Sequence, residues 1–444
     1  MTPRGDTPGD DGKKRSDTAM AEHAPVFDAR DGVPFLPSAS PPRRLKVLSV
    51  FGTRPEAIKM APVIGALAGS DRIASRVCVT AQHRGLLDQV LEHFAIRPDH
   101  DLDLMTADQT SSQVAARVLL RLEPVLREER PDWVLVQGDT TTTLAAAMAA
   151  SYAGVRIAHV EAGLRSFDTR QPFPEEFNRR LVSGLADLHF APTPVAEANL
   201  LREGVEPQRI VVTGNTGIDA LYATLAEIDR QADRRENPWD PLPDARRIIL
   251  ATVHRHENLG AVFVGICHAL AAVATRFLHE VYFVCPLHPR REVQSTAQAL
   301  LGHCPNIRLI EPLGYLHMVG LLRRSDMVIT DSGGLQEEAP ALGKPVLVLR
   351  NVTERPEGVI AGSGRLVGTR PKGITREVTR LLQDRDLYAQ MARRSEPYGD
   401  GHAAQRIVSA LLEEPVLAWV PPAALSRRGA VTAYAGPGAG GVSV

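Results

Sequence analysis

"DMVITDSGGLQEEAP", Asp326–Pro340, changes character halfway along. Met327 to Thr330 is an apolar, β-branched run of the kind that fills a buried parallel strand. Asp331 or Ser332 then stands where a helix cap is needed, and Gly333 and Gly334 open the first turn. Free backbone N–H groups and the helix dipole at such a start favour a phosphate, and glycine lets a ligand approach the backbone closely. An ordinary capped helix would read the same way. Glu338 lies about one turn further on, where its two oxygens are placed to accept from a ribose diol.

The same strand, polar turn and helix recur on both sides of this stretch. Upstream, apolar runs at Lys46 to Val50, Arg76 to Thr80, Trp133 to Val136, Val155 to Val160 and Leu188 to Ala191 alternate with helical segments such as "TTTLAAAMAASYAG". "VVTGNTGIDALY" closes this half and starts a linking helix, and the polar, proline-rich "RQADRRENPWDPLPDARR" marks a break. The pattern restarts with Arg247 to Thr252, Val281 to Pro286, Ile307 to Ile310, Met327 to Thr330 and Pro345 to Leu349. Strands alternating with helices imply parallel sheets with crossover helices. The expected fold is therefore α/β, with two doubly wound, Rossmann-like domains facing a cleft. One spans residues 45–215 and the other 216–399. Residues 1–44 lack apolar periodicity and read as a disordered extension, and 421–444 as a flexible tail.

Composition excludes some partners. The chain has 444 residues, 44% hydrophobic and 23% charged, with a net charge of -1, ordinary for a soluble globular enzyme. No basic stripe points to nucleic acid. No run of eighteen or more apolar residues predicts a membrane span, and no apolar segment near the start predicts a signal peptide. Cys78, Cys267, Cys285 and Cys304 form no CxxC pair and read as reduced core thiols, which fits the cytoplasm.

In a parallel sheet every strand ends at one rim, so residues just after the strands share that rim. Arg54, Asp139 and Glu161 should meet on the first, and His254, His288, Ser332 and Arg355 on the second. In "PFPEEFNRRLVSGLAD", Pro174 suits the first helical position and Glu175 the first turn, where the dipole favours a carboxylate. A catalytic base would gain from that place, but so would any helix start. Phe177, Leu181 and Leu185 repeat as an expected core stripe. Arg54 suits a turn anchor as well as a pyrophosphate, and "TTTT" after Asp139 suits a hydroxyl-capped helix. No GxGxxG follows the first strand, which disfavours a dinucleotide, and no HExxH or HxxxH predicts a metal.

Taken together, "FGTRPEAIKMAPV", "TAQHRGLLDQVL", "GDTTTTLA", "HVEAGLRS", "PFPEEFNRR", "TGNTGIDAL", "DSGGLQEEAPALGKPVLVLR" and "TERPEG" resemble the non-hydrolysing UDP-N-acetylglucosamine 2-epimerases. The likeness runs from Leu45 to about Leu412. It implies a glycosyltransferase-B-like fold, a homodimer, a C-terminal helix at 400–418 that returns to the first domain, and interconversion of UDP-GlcNAc and UDP-ManNAc for surface polysaccharides. It implies catalytic roles for Asp139, Glu161, Glu175 and His254. It implies uridine-diphosphate contacts at Arg54, Ser332, Gly333, Gly334, Glu338 and Arg355, with Lys59 a further site position. Relatives bind a second, activating UDP-GlcNAc near positions matching Gln82, Arg84, Arg255 and His288. This chain keeps Arg255 and His288 but has His256 where the family has arginine, and "HPRREV" where it has HxNPxV.

The chemistry that the resemblance implies explains such a site. No carbonyl adjoins C2 of the sugar, so its hydrogen is not acidic. Expelling UDP from C1 while a base takes that hydrogen gives 2-acetamidoglucal, and re-addition with a proton on the other face inverts C2. This requires carboxylates near the sugar and cations near the diphosphate, and neither a metal nor a nicotinamide cofactor. Three rivals stand beside this reading: a hydrolysing epimerase releasing ManNAc, a UDP-sugar glycosyltransferase and a non-catalytic UDP-sugar sensor. "GDTTT" and "HVEAGLR" side with the non-hydrolysing group, and three carboxylates argue against a transferase.

Overall fold

A computed structural model describes residues 43–81, 84–104, 106, 109–231, 237–243, 246–417 and 419–421. The expected extension at 1–44 falls outside the described residues save Arg43 and Arg44, and the expected tail at 421–444 save Pro421. The first sheet holds β1 (Leu45–Phe51), β2 (Ile73–Val79), β3 (His100–Asp101), β4 (Trp133–Gln137), β5 (Arg156–Val160), β6 (Leu188–Ala191) and β7 (Ile210–Val212). Their spatial order is β3-β2-β1-β4-β5-β6-β7. The second holds β8 (Arg247–Thr252), β9 (Val281–Pro286), β10 (Ile307–Ile310), β11 (Met327–Thr330), β12 (Val346–Val348) and β13 (Gly364–Leu366). Its order is β10-β9-β8-β11-β12-β13. Every pairing is parallel. The sequence pattern does not reveal β3, β7 and β13, because two or three residues carry too little periodicity to read.

Both sheets are buried on both faces, which is why their strands read as unbroken apolar runs. Val47, Phe51, Leu135, Val160 and Phe190 face one side of the first sheet, and Leu48, Val50, Val134, Val136 and Ile157 the other. The second sheet divides in the same way, with Ile249, Phe283 and Ile329 against Leu250, Val284 and Val328. The linking helix Thr216–Arg230 packs on helices Arg54–Ala68, Tyr315–Arg324 and Gly333–Ala341. Ile218, Leu221, Tyr315 and Val319 therefore join the core that surrounds β1. Helix Ala403–Leu411 packs against Arg54–Ala68, and the Asp219 carboxylate in the linking helix accepts the Ala404 N–H at 2.9 Å.

Each sheet reverses its winding once, between β1 and β4 and between β8 and β11. Ligands bind at such switch points, beyond the carboxyl ends of the strands. The turn after β5 is fixed by unusual backbone. Glu161 has φ 66°, the left-handed region that costs a non-glycine residue about 1 kcal/mol. Gly163 follows at φ 90°.

The expected core stripe holds at Leu185, which packs on the first sheet's core, and is reversed at Phe177 and Leu181. In helix Glu175–Leu185 the inward residues are Glu176, Asn178, Arg179, Val182 and Ser183, while Phe177 and Leu181 are 48% and 44% exposed. The helix start meets the polar turn at Ser166 and Phe167, whose N–H groups both donate to Glu176, so charge faces inward. Pro174 stands at the cap and not at the first helical position.

A Cβ at Gly163 would lie 2.3 Å from the Ala196 carbonyl oxygen, at a φ that L-residues avoid. Gly163→Ala should therefore lower stability by about 2–3 kcal/mol, read by urea denaturation. An unchanged midpoint would mean that the turn can move aside.

Candidate active site

Of the residues at the two rims, Glu161 and Arg355 meet in one buried cluster. Glu161 leaves β5 and pairs with Lys59 Nζ from the first helix. It also accepts from Gln137 Nε2 and, at 3.3 Å, from Asn215 Nδ2. From the second sheet's side, Arg355 Nη2 reaches Glu161 Oε1 at 3.1 Å, and Arg355 Nε reaches Glu337 Oε1 at 2.5 Å. Glu337 Oε2 lies 3.6 Å from Lys59 Nζ. Burial alone would raise the Glu161 carboxyl, but Lys59 and Arg355 outweigh it and hold the carboxyl below its usual range.

Glu175 has the opposite surroundings. Burial and the nearby Asp139 charge push its carboxyl up, and its Oε2 is buried without a hydrogen-bond partner. Asp139 is fixed in turn by an ion pair with Arg179, and its carbonyl accepts from Asn178 Nδ2 at 2.9 Å. Thr140, from the threonine run, caps a helix as expected, and the Thr140 and Thr143 hydroxyls donate to the buried Glu56 at 2.6 and 3.0 Å. Glu56 accepts from the Gly52 and Thr53 N–H groups as well, which ties the turns after β1 and β4 together.

His254 follows β8, and its Nδ1 lies 3.0 Å from Asp331 Oδ1. A carboxylate there holds the proton on Nδ1 and leaves Nε2 free to act. The same buried Asp331 accepts from the backbone N–H groups of His254 and Arg255 and from Asn258 Nδ2. It is therefore no helix cap; Ser332 takes that place and accepts from Leu335 N. Gly333 and Gly334 open the helix Gly333–Ala341, with the Arg355 guanidinium lying over Gly333. Glu338 accepts from the Tyr315 hydroxyl at 3.1 Å, and burial with the neighbouring Glu337 charge pushes its carboxyl up to about 8. Arg54 donates to the Leu313 carbonyl at 3.1 Å and feels the Glu338 charge.

Of the residues expected at a second site, Gln82 lies outside the described residues, as do the side chains of Arg84 and His256. Arg255 pairs with Glu354 at 3.2 Å, so it belongs to the central cluster. His288 lies near His254, and burial followed by Arg290 lowers its pKa. Sequence reasoning missed Gln137, Asn215, Tyr315, Asp331, Glu337 and Glu354. Glu337 had one signal: it lies four residues after Gly333, on the same helix face.

Hydrogen bonds and the charge on His254 hold the Asp331 carboxyl at about 2, against burial. Its folded value lies below the ordinary 3.8, so this stabilisation, about 2 kcal/mol, is complete above about pH 4 and lost as pH falls through 2. Asp331→Asn should cost a similar amount near neutral pH in urea melts. It should also let the His254 imidazole sample both tautomers, which nitrogen-15 NMR would register; one retained tautomer would deny Asp331 that role.

The profile of the UDP-N-acetylglucosamine 2-epimerase family matches residues 65–412. The UDP-N-acetylglucosamine 2-epimerase of Escherichia coli K12 is 50% identical over 370 residues, covering 83% of this chain and 98% of that protein. Among solved structures, the UDP-GlcNAc 2-epimerase of Neisseria meningitidis bound to UDP-GlcNAc superposes with a TM-score of 0.81 at 45% identity, covering 83% of this chain and all of that one. The Methanocaldococcus jannaschii enzyme in complex with UDP-GlcNAc and UDP gives 0.73 at 34% identity, again over 83% of this chain and 100% of that one. A glycosyltransferase-B-like pair of parallel sheets and matches over most of the chain agree: this chain belongs to the UDP-N-acetylglucosamine 2-epimerase family.

Proposed function

We propose that the protein interconverts UDP-GlcNAc and UDP-ManNAc by elimination and re-addition of UDP, without releasing free sugar. The observation that carries this reading is the contrast between two carboxylates. Glu161 is held ionised by Lys59 and Arg355, while Glu175 is held toward the protonated form by burial and Asp139. Two acids whose surroundings push them apart suit a base and a proton donor.

In this reading Glu161 takes the C2 hydrogen. The electrons of that C–H bond form the C1–C2 double bond, and the C1–O bond breaks with its electrons going to UDP. The diphosphate is held by the Gly333–Gly334 helix start and Arg355, where N–H groups and a fixed cation meet the developing charge. For return, the UDP oxygen attacks C1 and the double bond takes a proton from Glu175 on the other face. After the product leaves, exchange with water restores both carboxyls. Glu338 faces the ribose and Arg54 the nucleotide. The imidazolium form of His254, its Nδ1–H held by Asp331, donates its Nε2–H to the leaving oxygen. Isolation from water keeps the glucal in place.

Incubation with UDP-GlcNAc in D2O tests this. The expected products are UDP-ManNAc and UDP-GlcNAc, each carrying deuterium at C2. Net free ManNAc would identify a hydrolysing enzyme instead, and an unchanged substrate would leave a transferase or sensor. Because the Glu175 carboxyl is raised, the alkaline limb of kcat/KM should lie above the usual carboxylate range. Glu175→Gln should remove that limb and lower kcat by about 10²–10⁴. A retained limb would assign it to another group.

A further inference from the structure

Arg355 is committed in three directions. Nε meets Glu337 Oε1 at 2.5 Å, Nη1 meets Glu354, and Nη2 meets Glu161 Oε1 at 3.1 Å. Its guanidinium carbon lies 2.9 Å from where a Gly333 Cβ would stand, so the cation sits on the helix start itself. Lys59 is divided in the same way, between Glu161 and Glu337. Glu337 is therefore the second anion on both cations. It is buried, and Asn215 Nδ2 clamps it at 3.1 Å while also donating to Glu161 at 3.3 Å. Its helix is packed on the linking helix, which fixes its place beside both cations. The reaction outlined above gives Glu337 no part, although it touches both cations that serve it.

We propose that Glu337 is a positioning residue: it anchors Arg355 through Nε and Lys59 through Nζ, so that their other N–H groups pass from Glu161 to the diphosphate as the C1–O bond breaks. This deepens the epimerase reading and rests on it. Before cleavage, Glu161 shares both cations. As the leaving oxygen gains charge, Arg355 Nη2 and Lys59 turn toward it. Glu161 loses counter-charge and becomes more basic as the C2 hydrogen must be taken. Re-addition reverses the transfer. Without Glu337, neither cation would be anchored in place, and Glu161, facing both with one anion fewer to share them, would remain a weak base.

Glu337→Gln keeps the shape and removes the charge. Glu161 then faces Lys59 and Arg355 with only Glu354 sharing them; Gln137 and Asn215 beside it do not titrate, and His159 on its own strand, lowered to about 4 by burial, stays neutral. UDP binding by calorimetry should tighten about tenfold, because the diphosphate meets an extra net positive charge. The acid limb of kcat/KM, set by Glu161, should move down by about one pH unit while kcat falls about tenfold. Unchanged UDP affinity and an unchanged acid limb, with only a lower melting temperature, would overturn the proposal and leave Glu337 structural. Weaker UDP binding would overturn it too, by making Glu337 a direct nucleotide contact. If Glu337→Gln does not fold, Glu337→Asp should show smaller shifts in the same directions. UDP binding needs no turnover, so a wild-type protein silent in D2O would sink the epimerase reading while calorimetry still tests Glu337's hold on Arg355.

Discussion

Two cations and two carboxylates, none able to reach bulk water freely, meet where the sheets face each other: Lys59 and Glu161 from the first, Glu337 and Arg355 from the second. Each charge has a partner on the opposite side as well as on its own. Removing any one leaves a buried ion short of a partner, and breaking such a pair typically costs 3–5 kcal/mol. The pairing of these four charges therefore depends on the two rims being held close together.

The same cluster explains how like groups come to behave differently. Glu161 and Glu175 are chemically the same side chain, and both are withdrawn from water. One lies against Lys59 and Arg355, and the other lies against a carboxylate and has an oxygen with no partner. Arg179 prevents the second case from spreading. By pairing with Asp139 and Glu176 it keeps those carboxylates satisfied and leaves Glu175 as the exception. A helix start would ordinarily favour the charged form of Glu175, and here burial overrides the dipole.

Much of this is legible in the sequence, because strand ends in a parallel sheet must point to one rim. That constraint alone brings Arg54, Asp139 and Glu161 to one rim and His254 and Arg355 to the other. What it cannot reach are residues whose importance lies in a partner distant in sequence. Asn215 matters because it bridges Glu161 and Glu337, and no local pattern encodes that. Phe177 and Leu181 mislead for the converse reason. Helical spacing shows that residues share a face, not which way the face points, and here Glu176 and Arg179 have partners that turn the polar face inward. Asp331 and Ser332 both suit a helix cap by residue type, so only the hydrogen bonds of the folded chain tell which one caps.

A buried ion cluster is a weak source of stability, because desolvation offsets most of the attraction. The cohesion between the sheets has to come from elsewhere, and it comes from apolar packing of the linking helix against Arg54–Ala68 and Tyr315–Arg324. That separation of tasks has a chemical consequence. Because the hydrophobic contacts hold the sheets, the charges need not, and their bonds can be redistributed without loosening the fold. A cleft held by its ion pairs alone would open whenever a diphosphate competed for Arg355. One held by Ile218, Leu221, Tyr315 and Val319 keeps its geometry while Arg355 changes partners, which is what a site must do if charge moves through it during each turnover.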